Sequence, residues 1–253
     1  MMENSSIKNE QLKLHRLGRG IKIYTSEVHR FGTDAVLLAD FASPCAADSA
    51  CDLGTGCGII PLLWRRNGGP KEITAVDIQP EAVVLLQKSL ELNGIGGVTP
   101  VCADLRELDG SFSGKFTLVT MNPPYKKLSG GLISPDSARA VARHEVKCTV
   151  DDAVRCAARL LKPSGRLCMC HRPERLCDLL CAMRAAGIEP KRLRLVCQRD
   201  GSAPSLVLCE GRRGGRPGMT VDAPFIIEDE QGGYSADMVR VYADYLTDGE
   251  DEK

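Results

Sequence analysis

The chain has 253 residues, with 33 Lys and Arg against 33 Asp and Glu, 43% hydrophobic and 26% charged residues; this describes an ordinary soluble globular protein and excludes disorder as the dominant state. No apolar run approaches the roughly 18 residues of a membrane span, and Met1 to Glu10 is polar, so neither insertion nor secretion is expected and the protein reads as cytoplasmic. Zero net charge excludes holding nucleic acid by bulk electrostatics alone, yet residues 172–216 carry ten Lys/Arg against five Asp/Glu and residues 222–253 carry two against ten, which leaves room for a local basic surface.

The first stretch, residues 1–37, reads as an N-terminal extension, extended at Ile21-Lys22-Ile23-Tyr24. From about residue 48 to 210, short apolar runs alternate with amphipathic stretches, the pattern of an α/β domain with a mainly parallel sheet. Ser49 to Leu53 predicts a strand, Gly54 to Gly58 a tight turn, and Ile59 to Arg66 a helix that stops at Asn67-Gly68-Gly69-Pro70. Glu72 to Asp77 predicts the second strand. Pro80 opens a helix through Val83, Val84, Leu86 and Leu90, closed by Asn93-Gly94. Val98 to Cys102 and Phe116 to Met121 follow as strands, the latter ended by Asn122-Pro123-Pro124-Tyr125, because a double proline cannot continue a ladder. The connection 126–148, rich in Ser, Gly and Arg, is either a substrate loop or hides a short helix near Ser134 to Arg143. A helix from Val150 to Leu161, a strand from Arg166 to His171, a helix from Pro173 to Ala186 and a hairpin of Leu193 to Cys197 with Ser205 to Glu210 complete about seven strands. The main domain is placed at 38–246 and an acidic tail at 247–253. Twelve cysteines, including Cys51, Cys102, Cys168, Cys170, Cys197 and Cys209 beside apolar neighbours, read as reduced core residues in a chain large enough to fold without staples.

Cys51-Asp52-Leu53-Gly54-Thr55-Gly56-Cys57-Gly58 places alternate glycines after a strand and before a helix, so backbone can approach a ligand at the carboxyl end of the sheet. Ile59 stands where the dinucleotide fingerprint needs its third glycine, and no Gly-Lys-Ser/Thr follows to cradle phosphate. The spacing suits an adenosine cofactor without a pyrophosphate, for which S-adenosylmethionine is the natural candidate; a turn that needs glycine for packing alone is the plain alternative. Asp77 ends the second strand, where a carboxylate can accept both hydroxyls of a ribose, and Asp104 follows the third, where its side chain or neighbouring backbone can read an adenine amine. Singly, each aspartate would read as a cap or surface residue; after successive strands facing one crevice, they read as a cofactor pair. Methyl transfer to a planar amine requires a lone pair otherwise conjugated into the ring or amide. The Asn122 side-chain oxygen and the Pro123 carbonyl can accept the two N–H groups, and Tyr125 can stack on the acceptor. A proline-terminated strand is the alternative here.

Asp-Leu-Gly-Thr-Gly-Cys-Gly, Asp77-Ile78 and Asn-Pro-Pro-Tyr resemble the Rossmann-like class I methyltransferases that modify exocyclic or amide nitrogens. Phe31-Gly32-Thr33-Asp34-Ala35-Val36-Leu37-Leu38 is similar to the segment that covers the methionine end of the cofactor in the tRNA(Val) adenine-37 N6-methyltransferase family. Ala142-Arg143-His144-Glu145 and Gly214-Gly215-Arg216-Pro217-Gly218 also resemble that family, so the likeness spans about residues 12 to 246. It implies a seven-stranded, mainly parallel sheet with a closing antiparallel hairpin, and methylation of an adenine N6 in RNA, with tRNA as the expected partner. S-adenosylmethionine would be held by Thr33, Asp34, Asp52, Gly54, Thr55, Gly56, Gly58, Asp77, Ile78, Asp104, Leu105 and Asn122. Asn122, Pro123 and Tyr125 would be catalytic, and Tyr125, Arg143, His144, Arg212, Arg213 and Arg216 would meet the substrate. The arginine loop either reaches phosphates or is a solvated basic loop.

A protein glutamine N5-methyltransferase is the alternative, since such enzymes resemble this chain in both the glycine turn and Asn-Pro-Pro-Tyr. They carry a helical substrate domain before the turn, whereas only about 50 extended-looking residues precede it here, a departure that favours nucleic acid. No metal site is expected from Cys168, Cys170, His171, Cys177 and Cys181, whose spacing is not that of a zinc knuckle. The first pair should share one strand face. His15 and His29 are expected at the surface, and oligomeric state stays open.

Overall fold

The structure, a computed structural model, describes residues 12–123 and 148–242. It begins with a separate antiparallel hairpin of β1 (Lys13–Arg16) and β2 (Lys22–Thr25), followed by α1 (Thr33–Ala42). Next come β3 (Ser49–Leu53), α2 (Ile59–Arg66), β4 (Glu72–Asp77), α3 (Pro80–Asn93), β5 (Val98–Cys102) and β6 (Phe116–Met121). The chain continues with α4 (Val150–Leu160), β7 (Leu161–His171), α5 (Leu176–Ala185), β8 (Ile188–Cys197), β9 (Pro204–Arg213), β10 (Thr220–Val221), β11 (Phe225–Ile226) and α6 (Ala236–Tyr242).

The sheet order is β10-β8-β9-β7-β6-β3-β4-β5, with β11 also beside β8. Neighbours from β5 to β7 pair in parallel, and β9 runs antiparallel between β7 and β8. All seven expected strands are present; β10 and β11 extend the sheet along β8, and two residues are too few to display a periodicity in sequence. Side chains of β3 alternate between two cores, as in a parallel strand buried on both faces. Ala50 packs with Leu38 of α1, Leu62 of α2 and Leu86 of α3, whereas Cys51 and Leu53 pack with Val154 of α4 and Leu179 of α5.

Local chemistry sets the helix ends that matter for this arrangement. Gly94, at φ 60°, closes α3, and Thr149 with Asp152 forms a reciprocal capping box at the start of α4. The hairpin is docked on α3 by side chains standing in for a strand partner: Tyr24 N–H donates to Ser89 Oγ at 2.9 Å, and Lys22 N–H to Asn93 Oδ1 at 2.8 Å. Helix α1 runs without interruption through residues 37 and 38. Arg166 of β7 and Arg192 of β8 donate to the carbonyls of Ala42 and Phe41 at its C-terminus.

Three expectations are corrected. Cys102 is exposed rather than buried, because β5 is the sheet's edge, and Cys45, Cys177 and Cys181 are exposed as well. His29 is 8% exposed and His15 half-buried, its Nε2 3.0 Å from Thr25 Oγ1, so neither is a simple surface histidine. The helix expected from Pro173 opens as a 3-10 turn, Pro173–Arg175, before α5. Among the described residues no helix is long and apolar enough to cross a membrane.

Candidate active site

Strand β3 has β4 on one side and β6 on the other, so the connections leaving β3 and β6 diverge and open a crevice at the carboxyl ends of the strands. The glycine turn leaves β3 into that crevice, with left-handed φ of 66°, 55° and 86° at Gly54, Gly56 and Gly58. At Gly58 packing demands glycine as well, since a Cβ would lie 2.3 Å from Leu86 Cδ1, whereas a Cβ at Gly56 would meet open space. The two glycines therefore differ: Gly58 lets α2 sit close to α3, whereas at Gly56 the left-handed backbone alone, and not packing, calls for glycine.

Asp77 ties the turn to the end of β4. Its Oδ2 accepts from Gly56 N–H at 2.8 Å and its Oδ1 from Gln79 N–H at 2.9 Å, while Thr55 N–H donates to the Val76 carbonyl at 3.0 Å. An ionised carboxylate has about four acceptor positions, so this arrangement orients Asp77 and still suits a pair of ribose hydroxyls. Ile78 beside it is 52% exposed, an apolar surface at the crevice on which a planar ring can rest. Asp104 caps the 3-10 turn Leu105–Glu107 and is held by the Arg106 guanidinium, which lowers its carboxyl below the usual range. Leu105 is buried behind it. No pattern in the sequence marks Arg106 as the partner of Asp104.

Asp52 lies beneath the turn, 1% exposed. Its Oδ1 accepts from Thr120 Oγ1 of β6 at 2.7 Å, while its Oδ2 and the buried Thr55 Oγ1 complete no hydrogen bond. Burial pushes the Asp52 carboxyl up to about 7, against the opposing influence of the Thr120 and Thr55 hydroxyls, and the charge of Asp77 adds to the rise. The Thr55 hydroxyl and the Asp52 carboxyl are thus neighbours that influence one another without completing a hydrogen bond, and buried oxygens left so are costly in isolation. They fit a ligand that brings a cation and hydrogen-bonding groups, as S-adenosylmethionine does.

Asn122 and Pro123, both half-buried, leave the end of β6, the strand next to β3. Cys170 Sγ donates to Asn122 Oδ1 at 3.0 Å. Nothing in the sequence pointed to Cys170, because the contact depends on how β6 and β7 pair. Thr33 begins α1 with its Oγ1 3.4 Å from the Tyr242 hydroxyl of α6, and Asp34 follows in the first helical turn. Tyr125, Arg143 and His144 lie outside the described residues, as does the acidic tail.

Arg212, Arg213 and Arg216 are not brought to this crevice. Arg212 pairs with Arg166 in the antiparallel register of β9 on β7, five residues before His171 at the crevice end, a separation of about 17 Å. The Arg213 guanidinium donates to the Leu161 carbonyl, and Lys191 Nζ clamps the carbonyl of Arg216 at 3.2 Å. Cys168 and Cys170 do share the face covered by α1, α2 and α3. Among the described residues no group of three or more His, Cys, Asp or Glu is placed to hold a metal ion.

Comparison with known proteins agrees with this geometry. Residues 23–178 match the family model of the methyltransferase small domain. A tRNA1(Val) (adenine(37)-N6)-methyltransferase of Porphyromonas gingivalis is 30% identical over 234 residues, covering 86% of this chain and 89% of the relative. Among solved structures, a predicted O-methyltransferase of Agrobacterium tumefaciens superposes with a TM-score of 0.66 at 21% identity, over 84% of this chain and 97% of that one. The M. jannaschii protein TYW2, solved in complex with S-adenosylmethionine, gives 0.54 at 15% identity over 81% and 87% of the two chains. At these identities the two structures speak to the fold alone, whereas the family model and the bacterial relative establish descent. The chain belongs to the methyltransferase small domain family of S-adenosylmethionine-dependent class I methyltransferases, together with the tRNA1(Val) (adenine(37)-N6)-methyltransferases.

Proposed function

We propose that this enzyme methylates the N6 of an adenine in tRNA, working in the cytoplasm, and that adenine 37 of a valine tRNA, named in its relatives, is the first acceptor to test. The observation that carries the reading is the position of Asn122, which follows β6 directly beside the start of the glycine turn that follows β3. When bound, S-adenosylmethionine supplies an electrophilic methyl group on its sulfonium. Asp77 holds the ribose hydroxyls, Ile78 and the Asp104-Leu105 segment flank the adenine of the cofactor, Asp52 and the glycine turn face its amino acid portion, and Thr33 and Asp34 cover it. Asn122 Oδ1 and the Pro123 carbonyl accept the two N–H groups of the acceptor amine, which draws its lone pair out of conjugation as charge develops. Tyr125 stacks on the extruded base, and Arg143 and His144 contact the RNA.

The glutamine alternative receives no support from the relatives. Nucleoside mass spectrometry tests the proposal. tRNA from a deletion strain should lack N6-methyladenosine and regain it when the protein is restored; an unchanged level in tRNA would overturn the assignment.

A further inference from the structure

We propose that Cys170 is a positioning residue for Asn122, an inference that rests on the reading of Asn122 given above. β6 and β7 pair in parallel with Thr120 opposite Cys168 and Met121 opposite Met169, so the step past the end of β6 brings Asn122 beside Cys170. Cys170 is fully buried, and its Sγ lies 3.0 Å from Asn122 Oδ1. Inaccessible at the end of the strand, the thiol is unsuited to nucleophilic or redox work; its available chemistry is that of a hydrogen-bond donor.

A side-chain amide rotates about a broad, roughly two-fold torsion, and its two ends have opposite roles: the oxygen accepts, the nitrogen donates. Only the oxygen end can polarise an acceptor amine. A thiol donor fixed by β7 favours the rotamer in which the oxygen stands at its observed place. An amide oxygen has two lone pairs, so S–H and a substrate N–H can share it. A thiol is a weak donor and leaves the oxygen most of its basicity, whereas a charged donor would drain it.

The test uses the full chain with an unmodified valine tRNA transcript, comparing wild type, Cys170→Ala, Cys170→Ser, Asn122→Ala and the double variant Cys170→Ala/Asn122→Ala. Cys170→Ala should lower kcat about three- to tenfold, the scale of one neutral hydrogen bond. The KM for tRNA and the calorimetric affinity for S-adenosylhomocysteine should stay unchanged, and Cys170→Ser, which keeps a donor, should recover most of the rate. In the Asn122→Ala background the alanine at 170 should cost nothing more. Full kcat in Cys170→Ala, an equal loss with Asn122 already removed, or a loss shared with cofactor-product affinity and not recovered by serine would each overturn the inference. An inactive wild type would defeat the functional reading itself, and this inference with it.

Discussion

The two ends of the parallel sheet treat charge in opposite ways. Toward the end where the strands begin, Glu210 lies between Arg166 at 3.2 Å and Arg192 at 3.6 Å, and Arg166 also reaches Asp48 at 3.7 Å. The same arginines serve the carbonyls that α1 leaves unpaired at its C-terminus, so charge there closes on itself and fixes a helix to the sheet. At the end where β3 and β6 stop, Asp52 and Thr55 retain buried oxygens without partners, beside a turn with three left-handed glycines. Such groups cost free energy in the ligand-free protein and persist where a bound molecule repays it. Composition alone would rank the arginine-rich end as the functional one; the pairing pattern ranks the other.

The most severe test of this contrast removes the charge of Asp52. The folded chain binds the Asp52 proton more tightly than the unfolded chain, because burial raises the carboxyl from its ordinary 3.8 to about 7. Asp52 therefore favours the ligand-free native state most at low pH. That contribution is lost as pH climbs from about 4 through about 7, by up to ~4 kcal/mol. Asp52→Asn should flatten the pH dependence of stability across this window in denaturant titrations; an unaltered slope would remove Asp52 as its origin. At the same end, Asn122→Ala should lower turnover about a hundred-fold with little change in affinity for S-adenosylhomocysteine, because the lost interaction grows only as charge develops. Comparable loss in binding would make Asn122 a cofactor residue first. Asp77→Ala should weaken cofactor binding about ten- to a hundred-fold by calorimetry, since it deprives Gly56 and Gln79 of their acceptor as well as the ribose of its own.

The smallest effect on the site belongs to the other end. Glu210→Gln should cost about 1–2 kcal/mol of stability by removing the anion that Arg166 and Arg192 share. Cofactor affinity should be unmoved. A shift in affinity would show that the closed network and the open crevice are coupled through α1, and the division drawn above would fail.

Elements whose signal is local were legible in the chain. Five strands, β3 to β6 and the end of β7, are legible at or near their true limits because each is an apolar run set off by a strong break, such as Gly54 after β3, Asn67-Gly68 and Gly94 closing the helices before β4 and β5, or the double proline after Asn122. Asp77 and Asn122 were legible for the same reason, standing directly after strands whose direction the α/β alternation dictates. The Arg106 bond to Asp104 is not legible although it spans two residues, because an exposed arginine gives no sign in sequence of the carboxylate it will choose.

By itself, then, the sequence determined the α/β class, the glycine turn after β3 and the strand end that carries Asn122, all of which follow from periodicity and backbone chemistry within a few neighbouring residues. Tertiary structure decided what depends on register between distant strands. It set Cys170 against Asn122 and Thr120 against Asp52, and it carried Arg212 and Arg213 to the far end of the sheet. The physical reason is that a strand's own pattern says which face each side chain takes, while its partner, direction and offset are chosen by packing the whole sheet between two helical layers.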